Sequence, residues 1–447
     1  MSPTPASPSL PTSQPLHRAE RLMALMDELL RDLGYAGFGI QLHVRFAGRC
    51  DAGALRTAIA RLSQRFPVTT SRLDVSSPRR PKWVLRPGAV CPLLETASDS
   101  AGDAAVVARA ETLLSTPRPL AENDPIQFEL LHLADGTDAL MVQYNHVLMD
   151  SNGAPLLLAE LHRLAVDAPG ASVIEGDDYR AAYLRRHTWM QRLLGAARAL
   201  RHRARWNRCS PVMLARRVAD PQAVPPVRIL LRSLDSAETR ALGDRIRRET
   251  GFRGISLALL VSAFRSLRDC VGPLEGDAAF LSSVGVNLRD PGAHGPLFRT
   301  LASLLRFGVR PGELDNRFDC IRRLNATLRD HLRRHLDVGT VQLTSLLDTH
   351  SRRARQINQR AMLQQQSLTY GYFGTTPIEQ QGLCGTPIAR LYHVVQCWSP
   401  PGLALVANES QGQLQMSISY TPATVAEATA RRFAEGLVDD LRAAIVE

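Results

Sequence analysis

The sequence predicts an α/β fold in two subdomains, on three observations. At 447 residues the chain is long for one ordinary domain and suits two of roughly 200 each. Stretches with the period-two alternation of strands trade places with stretches at helical spacing. After a break carrying Pro221, Pro225 and Pro226, the same strand-and-helix plan starts again. The divisions expected are a tail over 1–17, a first subdomain over 18–175, a basic linker helix over 176–225 and a second subdomain over 226–447.

Residues 1 to 15 are rich in proline and serine without periodicity, which predicts disorder. Leu22, Leu25, Met26, Leu29, Leu30 and Leu33 recur as on one face of a helix. Ile40, Leu42, Val44 and Phe46 then alternate with Gln41, His43 and Arg45, as in a half-buried strand. Asp51 can cap a helix striped by Leu55, Ile59, Leu62 and Phe66. Trp83 and Phe128 fall in strands that complete this half. Leu140, Val142 and Tyr144 alternate with Met141, Gln143 and Asn145, and leucines 156, 157, 158, 161 and 164 follow at helical spacing.

In the second half, residues 227–234 read as a strand. Asp235 or Ser236 can cap a helix that Gly251 ends, and Ser256 opens another with Leu259, Leu260, Phe264 and Leu267 inward. The strands around Ser410-Gln-Gly form a hairpin, and residues 425–446 form a last helix.

Composition narrows the class. With 45% apolar and 22% charged residues the balance is globular. No run reaches the ~20 apolar residues of a transmembrane helix, and no signal peptide is evident, so a cytoplasmic location is expected. The seven cysteines are scattered without a CxxC pair and read as reduced thiols. The net charge of +11 is carried almost wholly by arginine, with Lys82 the only lysine. That suits a CoA phosphate, an acidic carrier protein, a nucleic acid or an anionic membrane; a GC-rich genome writing arginine for surface charge explains it at least as well. Residues 185–217 hold ten arginines and no acid, interleaved with Trp189, Met190, Leu193, Leu194, Leu200 and Trp206. The plain reading is a linker helix, with peripheral membrane or carrier contact as the alternative. Nucleic acid is not expected, since no zinc-finger, helix-turn-helix or RNA-binding signature is present.

Chemistry concentrates in Asn145-His146-Val-Leu-Met-Asp150-Ser151-Asn-Gly153, between the alternating run and the leucine stripe. A histidine leaving a strand, an acid four residues on and a glycine before a helix make a place to hold a base still. This stretch resembles the HHxxxDG motif of the superfamily that includes chloramphenicol acetyltransferase, condensation domains, wax ester synthases and polyketide-associated acyltransferases. His146 and Asp150 match; Asn145 stands for the first histidine and Ser151 for the glycine. The run RFPVTTSRLD resembles an early helix-to-strand passage of the same superfamily, and VGVNLRD, ending at Arg289, resembles its arginine-bearing strand.

The resemblance implies two subdomains with mixed sheets flanked by helices and an active-site channel between them. It implies acyl transfer from acyl-CoA or an acyl carrier protein to an alcohol or amine, including a small-molecule or lipid acceptor. No cofactor or metal is implied beyond the acyl group, carried on CoA or phosphopantetheine as substrate. With no carrier or adenylation module in the sequence, a free-standing acyltransferase is expected. His146 is the expected general base, since a neutral imidazole accepts a proton near neutral pH. The plainer reading of an isolated histidine is a core hydrogen bond; the HxxxD spacing with Arg289 at its matching place favours the base. Asp150 is expected to pair with Arg289 and fix the turn, with a helix N-terminal role as the alternative. Asn145 is a supporting residue. Ser151, Gly153, Ser367, Thr369 and Tyr370 are expected to line the channel, the last three as weak oxyanion candidates and Tyr370 more simply by packing. A metal on His146 and Asp150 lacks a third ligand nearby. The rival function is a non-catalytic carrier-docking scaffold.

Overall fold

The computed structural model describes residues 11–447 except 78–79, 167–171, 176–177, 216–223, 275, 291, 293–294, 348–355, 357–359 and 377–381. Arg216, Arg217 and Pro221 of the expected linker therefore lie outside the described residues.

The first lobe is built on a five-stranded mixed sheet in the order Ile388–Val395, Gly39–Phe46, Asp138–Asn145, Ile126–His132, Leu93–Ala97. Ile40, Leu42, Val44 and Phe46 join Leu140, Val142 and Tyr144 on one face, packed under helices Ala52–Arg65 and Gly153–Val166. The opposite face was expected in solvent and is not. Helix Gly102–Leu114 covers it, so Gln41 donates to the Ala110 carbonyl at 3.3 Å and Gln143 to Leu113 at 3.2 Å. A polar side chain tied to a helix carbonyl alternates in sequence just as an exposed one does, which is why periodicity alone reads a half-buried strand.

Ile388–Val395 is a second departure. It lies in the expected second subdomain, yet it pairs antiparallel with Gly39–Phe46, covering what would otherwise be a bare sheet edge. Its Ile388 and Leu391 are buried in the first lobe's core, as are Leu297 and Phe298. The two lobes are thus interleaved in sequence. The expected tail is also shorter than 1–17: Ser13–Pro15 pairs with Lys82–Val84, which also pairs with Arg72–Asp74, around buried Trp83.

The second lobe carries the sheet Thr369–Thr375, Leu403–Ser410, Gln413–Tyr420, Arg228–Leu234. Helices Ser236–Thr250, Ser256–Cys270, Arg317–Arg333 and Glu427–Val446 pack on it around Phe264, Phe280 and Phe433. Asp235 caps the first of these, accepting from the Glu238 N–H at 2.8 Å, and Gly251 ends it at φ 73°. Gln411 and Gly412, both at positive φ, form the two-residue hairpin turn between Ser410 and Gln413. The hairpin Ala278–Asn287/Ala302–Val309 extends toward the first lobe and delivers Arg289. No helix among the described residues is long and apolar enough to cross a membrane.

Candidate active site

Strand Asp138–Asn145 ends at the motif, and helix Gly153–Val166 begins just after it. The turn between them is closed by Asp150. Its Oδ1 accepts from the Gly153 N–H at 3.0 Å and its Oδ2 from the Leu301 N–H at 2.6 Å. Arg289 Nη1 donates to both oxygens at 2.9 Å. The remaining Arg289 donors reach the carbonyls of Pro296 and Arg299, each at 3.1 Å. Both side chains are 3% exposed, so this is a buried ion pair with its hydrogen-bonding capacity engaged. The helix-cap role and the ion pair coexist, and Asp150 has no free oxygen to offer an imidazole or a metal.

His146 sits at the start of this clamped turn. Its N–H donates to the Phe38 carbonyl at 3.0 Å, and its own carbonyl accepts from the Thr300 hydroxyl at 3.2 Å. The ring lies 4.7 Å from the Phe38 ring, which in turn meets Trp398 edge-on at 5.7 Å. Nδ1 is enclosed without a hydrogen-bond partner, while the residue as a whole keeps partial exposure. Burial pushes the imidazole below its ordinary 6.5; the histidine's own backbone, the Asp150 charge and the Met149 backbone oppose this with less effect. Burial therefore favours the neutral ring, the form that can accept a proton.

Asn145, where relatives of the motif carry a histidine, has a defined role. Its amide donates to Asp27 Oδ1 at 2.6 Å, and its carbonyl oxygen accepts from the Val147 N–H at 3.0 Å. Asp27 also accepts from the Phe38 N–H at 2.7 Å and from Arg31 at 2.9 and 2.7 Å. The same carboxylate thus holds both the residue before His146 and the aromatic ring packed on it. Asp27 was missed in the sequence. Its signal was an acid among Leu25, Met26, Leu29 and Leu30, on the stripe that a helix buries. A second buried pair, Arg299 with Glu20 at 2.9 Å, and Glu175, which accepts from the Leu297 and Phe298 N–H groups, hold the segment that faces the motif.

The remaining expected channel residues mostly do other work. Gly153 is where backbone approaches backbone: a Cβ there would sit 2.8 Å from the Leu297 carbonyl oxygen. Ser151 is buried close to the Tyr144 hydroxyl. Ser367 exchanges hydrogen bonds with Leu281, its hydroxyl accepting from the Leu281 N–H at 2.8 Å, and so pins two strands of the second lobe. Tyr370 is packed in the second lobe's core and donates to the Ser256 carbonyl at 2.6 Å. The Tyr370 proton is spent on a backbone carbonyl and Ser367 is wholly buried in the second lobe, so neither is presented to an oxyanion in a channel. Thr369 differs: it is half-buried on the other face of that sheet, the face bearing Phe373, whose ring meets His393 at 4.5 Å. Beside Asn145 lies a cavity of about 30 Å³, bordered by Phe38, Gly39, Arg118, Gln143 and Gln396, with room for about one water.

The chain matches no protein-family model and no curated protein sequence. Its fold matches solved structures over nearly its whole length. It is similar to the first condensation domain of the calcium-dependent antibiotic synthetase, at 19% identity and TM-score 0.68, covering 98% of this chain and 97% of that one. It is similar to TRI3 trichothecene 15-O-acetyltransferase from Fusarium sporotrichioides, at 13% identity and TM-score 0.69, covering 97% and 95%. It is also similar to polyketide synthase associated protein 5 from Mycobacterium tuberculosis, at 15% identity and TM-score 0.67, covering 98% and 100%. Over nearly its whole length the chain thus has the α/β fold of these condensation-domain, acetyltransferase and polyketide synthase associated structures.

Proposed function

We propose that this protein transfers an acyl group from a thioester to an alcohol or amine, with His146 as general base. The observation that carries the proposal is the histidine's mounting: a neutral, partly exposed imidazole on a turn locked by the buried Asp150–Arg289 pair. Nε2 takes the proton from the acceptor O–H or N–H as that atom attacks the thioester carbonyl. The tetrahedral intermediate collapses with loss of the thiolate, and Nε2–H returns the proton to sulfur. An ester or amide and a free thiol result, with no covalent acyl-enzyme needed. Acyl-CoA and an acyl carrier protein are both donors of the required chemistry. Asn145 and Asp27 act through position, holding Phe38 and the strand end.

A carrier-docking module without turnover is the second reading. It is favoured by the buried Ser151 side chain next to the turn and by the small size of the cavity beside Asn145. Free-thiol release from acyl-CoA and from acyl carrier protein, with and without an alcohol or amine acceptor, separates the two. The acyltransferase releases thiol in proportion to acceptor; the docking module binds carrier and releases none above the uncatalysed rate.

A further inference from the structure

Helix Trp189–Trp206 shows solvent five large apolar side chains along one face. Gly195, Ala196 and Ala199 are buried. Gly195 crosses Gly339 of helix Leu336–Leu347 at backbone contact, such that a Cβ on Gly339 would lie 2.1 Å from the Gly195 carbonyl carbon. Trp206 anchors the far end against Gly308, where a Cβ would meet its ring at 2.5 Å. These two contacts fix the helix's rotation about its axis. Trp189 is left 65% exposed, Leu193 57% and Leu200 52%, with Met190 and Leu194 alongside. Scattered apolar side chains on a surface are ordinary, but five on one helical face form a contiguous patch.

Further along the same face come Arg201 and Arg205, with Arg208 just past the helix end, all exposed and without an ion pair among the described residues. With Arg310 and Asp277 they border a cavity of about 490 Å³. Exposed Arg185 and Arg186 flank the patch at its other end, Arg186 paired with Asp290.

We infer that this face docks on an anionic lipid bilayer. Trp189, Met190, Leu193, Leu194 and Leu200 enter the boundary between headgroups and acyl chains. Arg201, Arg205, Arg208 and Arg310 bind headgroup phosphates, whose oxygens match the guanidinium fork. An acidic protein would satisfy the arginines alone. Between its arginines, the outward face from Trp189 to Arg205 offers only tryptophan, methionine, leucine and alanine. It therefore reads charge and apolarity rather than a pattern of hydrogen bonds, and a bilayer interface supplies both.

The test is co-sedimentation of the full chain with phosphatidylcholine vesicles, with and without phosphatidylserine. Wild-type protein is expected on the anionic vesicles only, and to be released by high salt. Arg201→Ala with Arg205→Ala should weaken binding about 30-fold, from the attraction each arginine contributes near a charged surface. Leu193→Glu with Leu194→Glu should abolish it. All four positions are exposed, so an unchanged melting curve checks the fold. Equal binding to both vesicle types, no vesicle binding, variants that bind like wild type, or variant-sensitive binding only to a soluble acidic protein would each overturn the inference. No thioester enters the assay, so its outcome is independent of the role of His146.

Discussion

His146→Ala is expected to lower acceptor-dependent thiol release by about 10²–10⁴-fold, the usual worth of a positioned general base. The loss should appear in kcat, because a general base acts on the proton in flight rather than on the bound acyl chain. The fold should be little affected. The backbone bonds to Phe38 and Thr300 do not involve the ring, and the residue is partly exposed. Steady-state kinetics with a chromogenic thiol reagent, alongside a melting curve, checks both halves of this expectation. A variant that loses activity only because it unfolds would argue for a structural histidine.

The second large effect lies at the clamp. Asp150→Leu or Arg289→Met alone leaves an ion 3% exposed with no counter-charge, costing on the order of 3–5 kcal/mol of stability. Chemical denaturation of each single variant, and of Asp150→Leu combined with Arg289→Met, measures it. The double variant should be more stable than the sum of the single losses predicts, since it removes both charges from the interior together. Activity should fall in all three: without Asp150 the Gly153 and Leu301 N–H groups that shape the turn under His146 lose their acceptor, and without Arg289 the Pro296 and Arg299 carbonyls and the Asp150 carboxylate lose their donor. Additive losses, each below about 1 kcal/mol, would mean that the pair is solvated and does not clamp the site.

The parts of this site that could be read in the sequence are those with local spacing. The strand, the histidine, the acid four residues later and the leucine stripe lie within one stretch, while Arg289 was reached only through the resemblance of VGVNLRD to an arginine-bearing strand. The tight hairpin was legible from two alternating runs on either side of Ser410-Gln-Gly, where Gly412 takes positive φ without cost. What periodicity does not encode is the choice of partner. The alternation of Ile388–Val395 is the same whichever sheet it joins, and only the bare edge of Gly39–Phe46 decides it. Gln41 and Gln143 look solvent-facing until helix Gly102–Leu114 is laid over them. Ser367 and Tyr370 lie near a motif position in sequence, yet Ser367 is wholly buried against Leu281 and the Tyr370 hydroxyl is spent on the Ser256 carbonyl. Asp27 reaches Asn145 from 118 residues away, a distance at which no spacing rule operates.

The most direct test of the imidazole's role is the pH dependence of acyl transfer under single-turnover conditions. Burial holds the folded His146 below 6.5, so its neutral, proton-accepting form prevails at pH 7 and is lost as pH falls through that lowered value. The rate should therefore be flat around neutrality and fall on the acid side with one inflection below 6.5, and His146→Ala should abolish that inflection along with most of the rate. A wild-type profile without the inflection, or the same inflection in His146→Ala, would contradict the account.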